Sequence, residues 1–139
     1  MSLPQVLFVC VENSCRSQMA EAFARIYGSG VIHAHSAGSH PSGRVNVKAI
    51  ESMLERGYDL TRHASKPLSQ IADIDYEYAI TMGCGDACPF VRARHREDWS
   101  IPDPKELPPE EFRRIRDLIE TKVKELLAKL GSVRGGLPD

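Results

Sequence analysis

The sequence has no apolar run approaching the roughly 18 residues that are needed to cross a bilayer. Its N-terminus also lacks the basic region and the apolar core of a signal peptide, so we expect a cytoplasmic protein that does not bind membranes. An excess of one charge is missing too, because 18 basic and 19 acidic residues leave a net charge of −1. This balance gives no general attraction to nucleic acid, and we expect no nucleic-acid partner.

Cysteine and histidine are scarce, with 4 cysteines and 5 histidines in 139 residues. The histidines are scattered without metal-ligand spacing, so we expect no metal site built on them. Four cysteines in a cytoplasmic chain of this size are typical of catalytic, redox or metal-binding sites rather than of structural disulfides. The length fits one domain with a proper core. We expect this domain at residues 1–131, a flexible tail at residues 132–139, and a monomer.

The hydrophobic pattern predicts strands alternating with helices. Apolar or alternating runs that favour strands are found at residues 6–9, 31–36, 76–82 and 95–99. Apolar residues at helical spacing are found at residues 18–27, 47–57 and 108–130, and Gly131 is expected to end the last helix. The resulting order β-α-β-α-β-β-α predicts an α/β fold, a three-layer sandwich with a mostly parallel four-stranded sheet.

The loop between the first strand and the first helix carries the clearest functional pattern. Cys10 and Arg16 are six positions apart, with five residues between them that can wrap a tetrahedral oxyanion. The loop lies at the end of a strand and the start of a helix, where backbone N–H groups point at anions. The helix start and Arg16 favour the thiolate form of Cys10, and the planar guanidinium suits two oxygens of an anion. We expect Cys10 to attack an oxyanion that is bound by Val11, Glu12, Asn13, Ser14, Cys15, Arg16 and Ser17.

Two of these residues have additional expected roles. The hydroxyl of Ser17 is expected to hydrogen-bond the Cys10 sulfur. Asn13 tolerates left-handed backbone conformations and is expected to turn the loop so that its N–H groups converge. The competing interpretation is that Cys10 is an ordinary core cysteine and Arg16 an ordinary surface charge.

Residues 6–21, VLFVCVENSCRSQMAE, resemble the phosphate-binding loop of the low-molecular-weight protein tyrosine phosphatases. They resemble still more that of the thioredoxin-coupled arsenate reductases that share the fold of those phosphatases. The resemblance continues at residues 35–38, 78–82 and 98–104, and it covers roughly residues 4–130. It implies that Cys10 is the nucleophile, that Arg16 holds the oxyanion and that Asp103 is the general acid. Asp103 stands between two prolines that restrict its backbone, which suits a positioned acid.

The two activities of these relatives share the attack by Cys10 and differ afterwards. A phosphatase hydrolyses its cysteinyl-phosphate with water, whereas reducing arsenate to arsenite takes two electrons, which two thiols supply by forming a disulfide. Cys84 and Cys88 follow the third predicted strand, whose end should lie beside the loop. We therefore expect an arsenate reductase of arsenic detoxification. It forms a Cys10–Cys84 disulfide, then a Cys84–Cys88 disulfide, which thioredoxin or a low-molecular-weight thiol reduces.

Several alternatives stay open. The chain is a phosphatase hydrolysing aryl phosphates in the second interpretation, although Lys105 and Glu106 stand where tyrosine phosphatases usually carry aromatic residues. A third interpretation is a non-enzymatic oxyanion-binding or redox-sensing module. In one alternative, Cys84 and Cys88 are inert, and in another they bind zinc together with His95. If the chain is a phosphatase, a Cys10–Cys15 disulfide is expected to protect the nucleophile reversibly. No tightly bound cofactor is expected, although some relatives are reported to hold a potassium ion near Asn13. Phosphate or sulfate should mimic arsenate.

Overall fold

A computed structural model of the chain describes residues 3–71, 73–83 and 91–133. For residues 132 and 133 it describes the backbone only. The strands in this part are β1 (Gln5–Cys10), β2 (His33–Gly38), β3 (Tyr76–Thr81) and β4 (Ala93–Asp98). The helices are α1 (Arg16–Gly28), α2 (Val47–Leu54) and α3 (Pro109–Val133), with single 3₁₀ turns at Leu60–Arg62 and Leu68–Gln70. None of the helices described is both long and apolar enough to cross a membrane.

The four strands form one parallel sheet in the order β2-β1-β3-β4. The predicted α/β fold with a mostly parallel four-stranded sheet is confirmed. β1 is a central strand whose residues 6–9 are fully buried, as its unbroken apolar run predicts. Because all strands run the same way, their carboxyl ends meet at one edge, where Cys10 pairs with Gly38 and Val9 pairs with Thr81.

The two faces of the sheet are covered differently. On one face, all three helices share a core with alternate strand residues such as Phe8 and Ile80. On the other face, Leu7 and Val9 pack in a smaller cluster with partly buried residues that include Leu68 of the second 3₁₀ turn. The alternation of β1 side chains between these clusters follows from the two-residue period of a strand.

Element boundaries differ from the predicted ones in two informative places. β2 begins at His33 rather than at Val31, because the N–H groups of Val31 and Ile32 both donate back to the carbonyl of Gly28. The prediction that Gly131 ends α3 is wrong, since the helix continues to Val133. A single glycine costs a helix only about 1 kcal/mol, and Leu130 just before it is buried. Of the predicted tail, residues 134–139 lie outside the described part of the chain.

Candidate active site

A cavity of about 120 Å³ lies at the carboxyl edge of the sheet. Cys10, the last residue of β1, and Arg16, the first residue of α1, both line it, and Asp103 reaches it from the loop after β4. Three residues that the sequence placed in one site therefore share one cavity. The lining residues of the cavity are Cys10, Val11, Glu12, Ser14, Cys15, Arg16, Asp103 and Lys105.

The loop between β1 and α1 turns its carbonyl groups outward. Four consecutive carbonyls accept hydrogen bonds of 2.8–3.0 Å from the surrounding chain, and they belong to Val11, Glu12, Asn13 and Ser14. Within the described ranges, no backbone N–H of residues 11–15 donates to another residue. Because the carbonyls are occupied by the surrounding chain, the N–H groups of the loop are available to an anion, as in the anion-binding loops of other proteins.

Asn13 fixes the shape of this loop from behind the cavity. Its φ of 51° is left-handed, as the sequence predicted, and its side chain is fully buried. Its Nδ2 donates to Ser17 Oγ at 2.8 Å, while its Oδ1 accepts from Gln18 Nε2 at 3.0 Å and from the Lys66 N–H at 2.8 Å. Asn13 and Ser17 support the cavity and are not part of its lining.

The sulfur of Cys10 has a hydrogen-bond partner in Ser17. It lies 2.9 Å from Ser17 Oγ, and Cys10 is only 4% exposed. Because Ser17 Oγ already accepts from Asn13, the hydroxyl hydrogen is free to point at the sulfur. Such a donor stabilises negative charge on the nucleophile.

Behind Asn13, a chain of hydrogen bonds reaches toward the surface through residues that the sequence did not reveal as functional. Gln18 Nε2 donates to three oxygens, so Gln18 Oε1 must be the acceptor for His63 Nδ1 at 2.9 Å. His63 Nε2 is then free to accept from the Tyr58 hydroxyl at 2.6 Å. Burial lowers the pKa of His63, which favours this neutral form. A scattered histidine gives no sequence signal for this contact.

Arg16 joins the loop to the ends of two other chain segments. Its Nη1 donates to the carbonyls of Met82 at 2.6 Å and Ile101 at 2.8 Å, and its side chain is only 11% exposed. Its Nη2 lies 4.0 Å from Asp103 Oδ2. The guanidinium is thus held in place by backbone carbonyls on one side while it lines the cavity with the other.

Asp103 and its neighbour Lys105 form the outer wall of the cavity. Asp103 Oδ1 accepts the backbone N–H of Lys105 at 3.0 Å, and the Asp103 side chain is 55% exposed. Lys105 Nζ lies 3.1 and 3.3 Å from the two carboxylate oxygens of Glu12. This ion pair connects the anion loop to the loop that carries Asp103.

The chain just before Cys84 is fixed at the same edge of the sheet. Gly83 has a φ of 94°, and its N–H donates to Asp98 Oδ1 at 2.8 Å. A Cβ at Gly83 would lie 3.1 Å from the Ile101 nitrogen, so a side chain is disfavoured by both conformation and space. The predictions for Cys84 and Cys88 themselves lie outside the described residues.

Cys15 differs from Cys10 in its surroundings. Burial, followed by the charges of Asp103 and Cys10, raises the pKa of the Cys15 thiol from 9.0 to about 12. Cys15 is therefore a protonated, weakly nucleophilic thiol at neutral pH. Both cysteines are free. In the part of the chain that the structure describes, no group of three or more His, Cys, Asp or Glu side chains is placed to hold a metal ion.

Gly38, at the end of β2, touches the loop from the side. A Cβ there would lie 2.5 Å from the Val11 carbonyl oxygen and 2.9 Å from the Asn13 nitrogen, so only glycine fits without moving the loop. The sequence shows Gly38 within a turn-like stretch but gives no sign of this contact, which depends on the pairing of β1 with β2.

The comparisons with known proteins agree with this geometry. Residues 5–134 match the family described as low molecular weight phosphotyrosine protein phosphatase. The glutaredoxin arsenate reductase of Synechocystis sp. is 40% identical over 131 residues, which cover 92% of this chain and 99% of that protein. A solved structure of an arsenate reductase in the phosphate binding state has a TM-score of 0.84 and 40% identity, covering 92% of this chain and 99% of that one. The thioredoxin-dependent arsenate reductase of Corynebacterium glutamicum has a TM-score of 0.78 and 33% identity, covering 96% of this chain and 64% of that longer one.

Because Gly38 contacts the loop, we expect that adding one methyl group at this position affects both the stability of the protein and its phosphate binding. Overpacking of this kind costs about 1–3 kcal/mol, so Gly38→Ala should lower the free energy of unfolding by that amount and weaken phosphate binding. Gly131→Ala is the matched control, because a Cβ at Gly131 meets nothing within 4 Å. Chemical denaturation and titration calorimetry with phosphate measure both effects. Equal behaviour of the two variants would contradict the role given to Gly38.

The raised pKa of Cys15 predicts selective alkylation. A shift from 9.0 to about 12 lowers the thiolate fraction of Cys15 about a thousandfold below pH 9. Iodoacetamide at pH 8 should therefore modify Cys10 in the folded protein and leave Cys15 unmodified, as measured by peptide mass spectrometry. In denaturant both should react, which controls for detection. Modification of Cys15 as fast as Cys10 in the folded protein would show that this account of its surroundings is wrong.

Proposed function

This chain belongs to the low molecular weight phosphotyrosine protein phosphatase family, and we propose that within this family it is an arsenate reductase that converts arsenate to arsenite. The observation that carries the proposal is the loop between β1 and α1, whose carbonyls are hydrogen-bonded to the surrounding chain and whose residues line a small cavity together with Cys10. Relatives that are 35–40% identical and match over nearly the whole chain are named arsenate reductases, which favours reduction over hydrolysis.

The size and lining of the cavity also favour a small inorganic anion. No aromatic side chain lines it among the described residues, and Lys105 and Glu12 stand at its rim. A phosphotyrosine ring needs apolar or aromatic surface on both sides, and charged rim residues do not supply it. The phosphatase alternative therefore has the weaker support.

We propose that the first chemical step is attack of the Cys10 thiolate on arsenic, with loss of an arsenate oxygen as water. Ser17 donates to the sulfur before attack, the loop N–H groups and Arg16 stabilise the charge on the remaining oxygens, and Asp103 protonates the departing oxygen. Phosphate and sulfate have the same tetrahedral shape and should compete with arsenate for the site.

The reduction itself needs one more thiol, and the release of Cys10 needs a third. Cys84 attacks the Cys10 sulfur, forming a Cys10–Cys84 disulfide, and the electron pair of the broken S–As bond leaves with arsenic as arsenite. Cys88 then attacks Cys84, which releases Cys10 as a thiolate and leaves a Cys84–Cys88 disulfide. The fixed position of Gly83, one residue before Cys84, supports this proposal because it brings that part of the chain to the edge where Cys10 lies.

An external thiol reductant must complete the cycle. We propose a thioredoxin-like dithiol protein, which would attack the Cys84–Cys88 disulfide by thiol–disulfide exchange. The named relatives include one thioredoxin-dependent and one glutaredoxin arsenate reductase, so a small redox protein is favoured over a free low-molecular-weight thiol. We further propose a monomer that works in the cytoplasm, where such reductants keep thiols reduced.

The surroundings of Asn13 do not fit the expected potassium ion. Its Oδ1 already accepts two hydrogen bonds, and its carbonyl accepts a third from Gln18. The buried carboxylate of Glu21 is paired with Arg25 at 2.7 Å and lies 3.9 Å from Lys66 Nζ. We therefore propose that the side-chain cations of the protein itself neutralise this region and that activity does not depend on potassium.

The relay predicts different behaviour for different cysteine variants. In a coupled assay with arsenate, thioredoxin and thioredoxin reductase, Cys84→Ser and Cys88→Ser should abolish multiple turnover, because neither variant can return Cys10 to the thiol. Cys10→Ser should abolish the reaction altogether. Cys15→Ser is the matched control and should keep turnover within about twofold, since the Cys15 thiol is protonated and plays no part in the relay.

Binding separates loss of the relay from loss of the site. Cys84→Ser and Cys88→Ser should bind phosphate as the unmodified protein does, because neither residue belongs to the anion-binding loop at residues 10–17. Full turnover by either variant would refute the relay. Hydrolysis of aryl phosphates without any arsenite release would instead establish the phosphatase.

A further inference from the structure

Among the described residues, the charged groups that line the cavity come in two pairs of opposite sign. Arg16 Nη2 lies 4.0 Å from Asp103 Oδ2, and Lys105 Nζ lies 3.1 Å from Glu12 Oε1. All four residues line the cavity. The fixed side-chain charges therefore sum to zero before Cys10 and the substrate add negative charge of their own.

Glu12 is an unfavourable residue for an anion site when it is considered alone. It lies in the loop that lines the cavity, and its carboxylate repels any oxyanion that binds there. The charge of Arg16 cannot offset both carboxylates, because Asp103 is already its neighbour. A second cation is needed if the loop is to attract a multiply charged anion.

Lys105 is held where it can act as that cation. Its N–H donates to Asp103 Oδ1 at 3.0 Å, and its carbonyl accepts from Lys48 Nζ at 3.0 Å. Its ammonium lies within 3.3 Å of both Glu12 carboxylate oxygens. The Glu12 carboxylate raises the pKa of Lys105, which keeps the ammonium charged well above neutral pH.

We propose that Lys105 is an anion-binding residue of this site, which cancels the charge of Glu12 and attracts small tetrahedral oxyanions into the cavity. This inference rests on the proposed function only in the identity of the substrate, since it concerns anion binding before any chemistry. Its contribution is electrostatic, and therefore weakens as added salt screens the charges.

A double-mutant cycle with inorganic phosphate as the probe tests the proposal. Lys105→Met keeps most of the side-chain volume but leaves Glu12 uncompensated, so phosphate binding should weaken roughly threefold to tenfold. Adding Glu12→Gln to Lys105→Met removes the uncompensated charge and should return the dissociation constant to within about twofold of the original. In calorimetry at low and high salt, the difference in phosphate affinity between Lys105→Met and the unmodified protein should become smaller as the salt concentration rises.

Lys48→Met is the control for the position of the loop. Lys48 holds the carbonyls of Lys105 and Leu107 but does not line the cavity, so its loss should change phosphate binding less than twofold. The proposal is overturned if Lys105→Met binds phosphate normally, or if adding Glu12→Gln to it does not restore phosphate binding. It is also overturned if Lys48→Met weakens phosphate binding as much as Lys105→Met does.

Turnover distinguishes this inference from the proposed function. With arsenate as substrate, Lys105→Met should raise KM and leave kcat nearly unchanged, because the lost interaction acts equally on bound substrate and transition state. If the unmodified protein reduces no arsenate but the phosphate cycle behaves as expected, the proposed function fails and the role of Lys105 stands. If arsenate is reduced but the double-mutant cycle shows no coupling between Glu12 and Lys105, the role of Lys105 is refuted and the proposed function stands.

Discussion

The site depends on one buried asparagine held in a left-handed conformation. The side chain of Asn13 makes hydrogen bonds to Ser17, Gln18 and Lys66, and each of its polar atoms has a partner. Removing the Ser17 hydroxyl would leave the buried Nδ2 of Asn13 without its partner, which costs about 1–3 kcal/mol. The loop around Asn13 therefore keeps its shape through hydrogen bonds that lie outside the cavity, and the N–H groups inside it stay available for an anion.

The parallel sheet brings the other parts of the site to this loop. Cys10, Gly38 and Thr81 end three adjacent strands at one edge, so residues far apart in the sequence meet without any long excursion of the chain. On one face of the sheet, the helices share a core with side chains of the strands, and Cys10 belongs to that core. The interactions that stabilise the fold therefore also position the nucleophile Cys10. The reacting groups lie at the carboxyl edge of the sheet.

The sequence predicted the features that are local in the chain. The apolar run of β1, the helix stripe of α3 and the loop from Cys10 to Arg16 each depend on neighbouring residues, and the sheet follows from their order. The contacts of Gly38 and Lys105 with the loop, and of His63 with Gln18, depend on how distant segments pack, and no spacing in the sequence encodes them. The end of α3 was mispredicted because a glycine weakens a helix without having to stop it.

Arg16 illustrates how a binding residue can be ordered in advance. An arginine side chain carries about 2 kcal/mol of rotamer entropy, which is lost when the guanidinium is fixed. In this protein, the carbonyls of Met82 and Ile101 hold one guanidinium nitrogen as part of the folded structure. The entropy is therefore lost during folding and not on encounter with the anion, so the stability of the native state and the affinity of the site are linked through a single side chain.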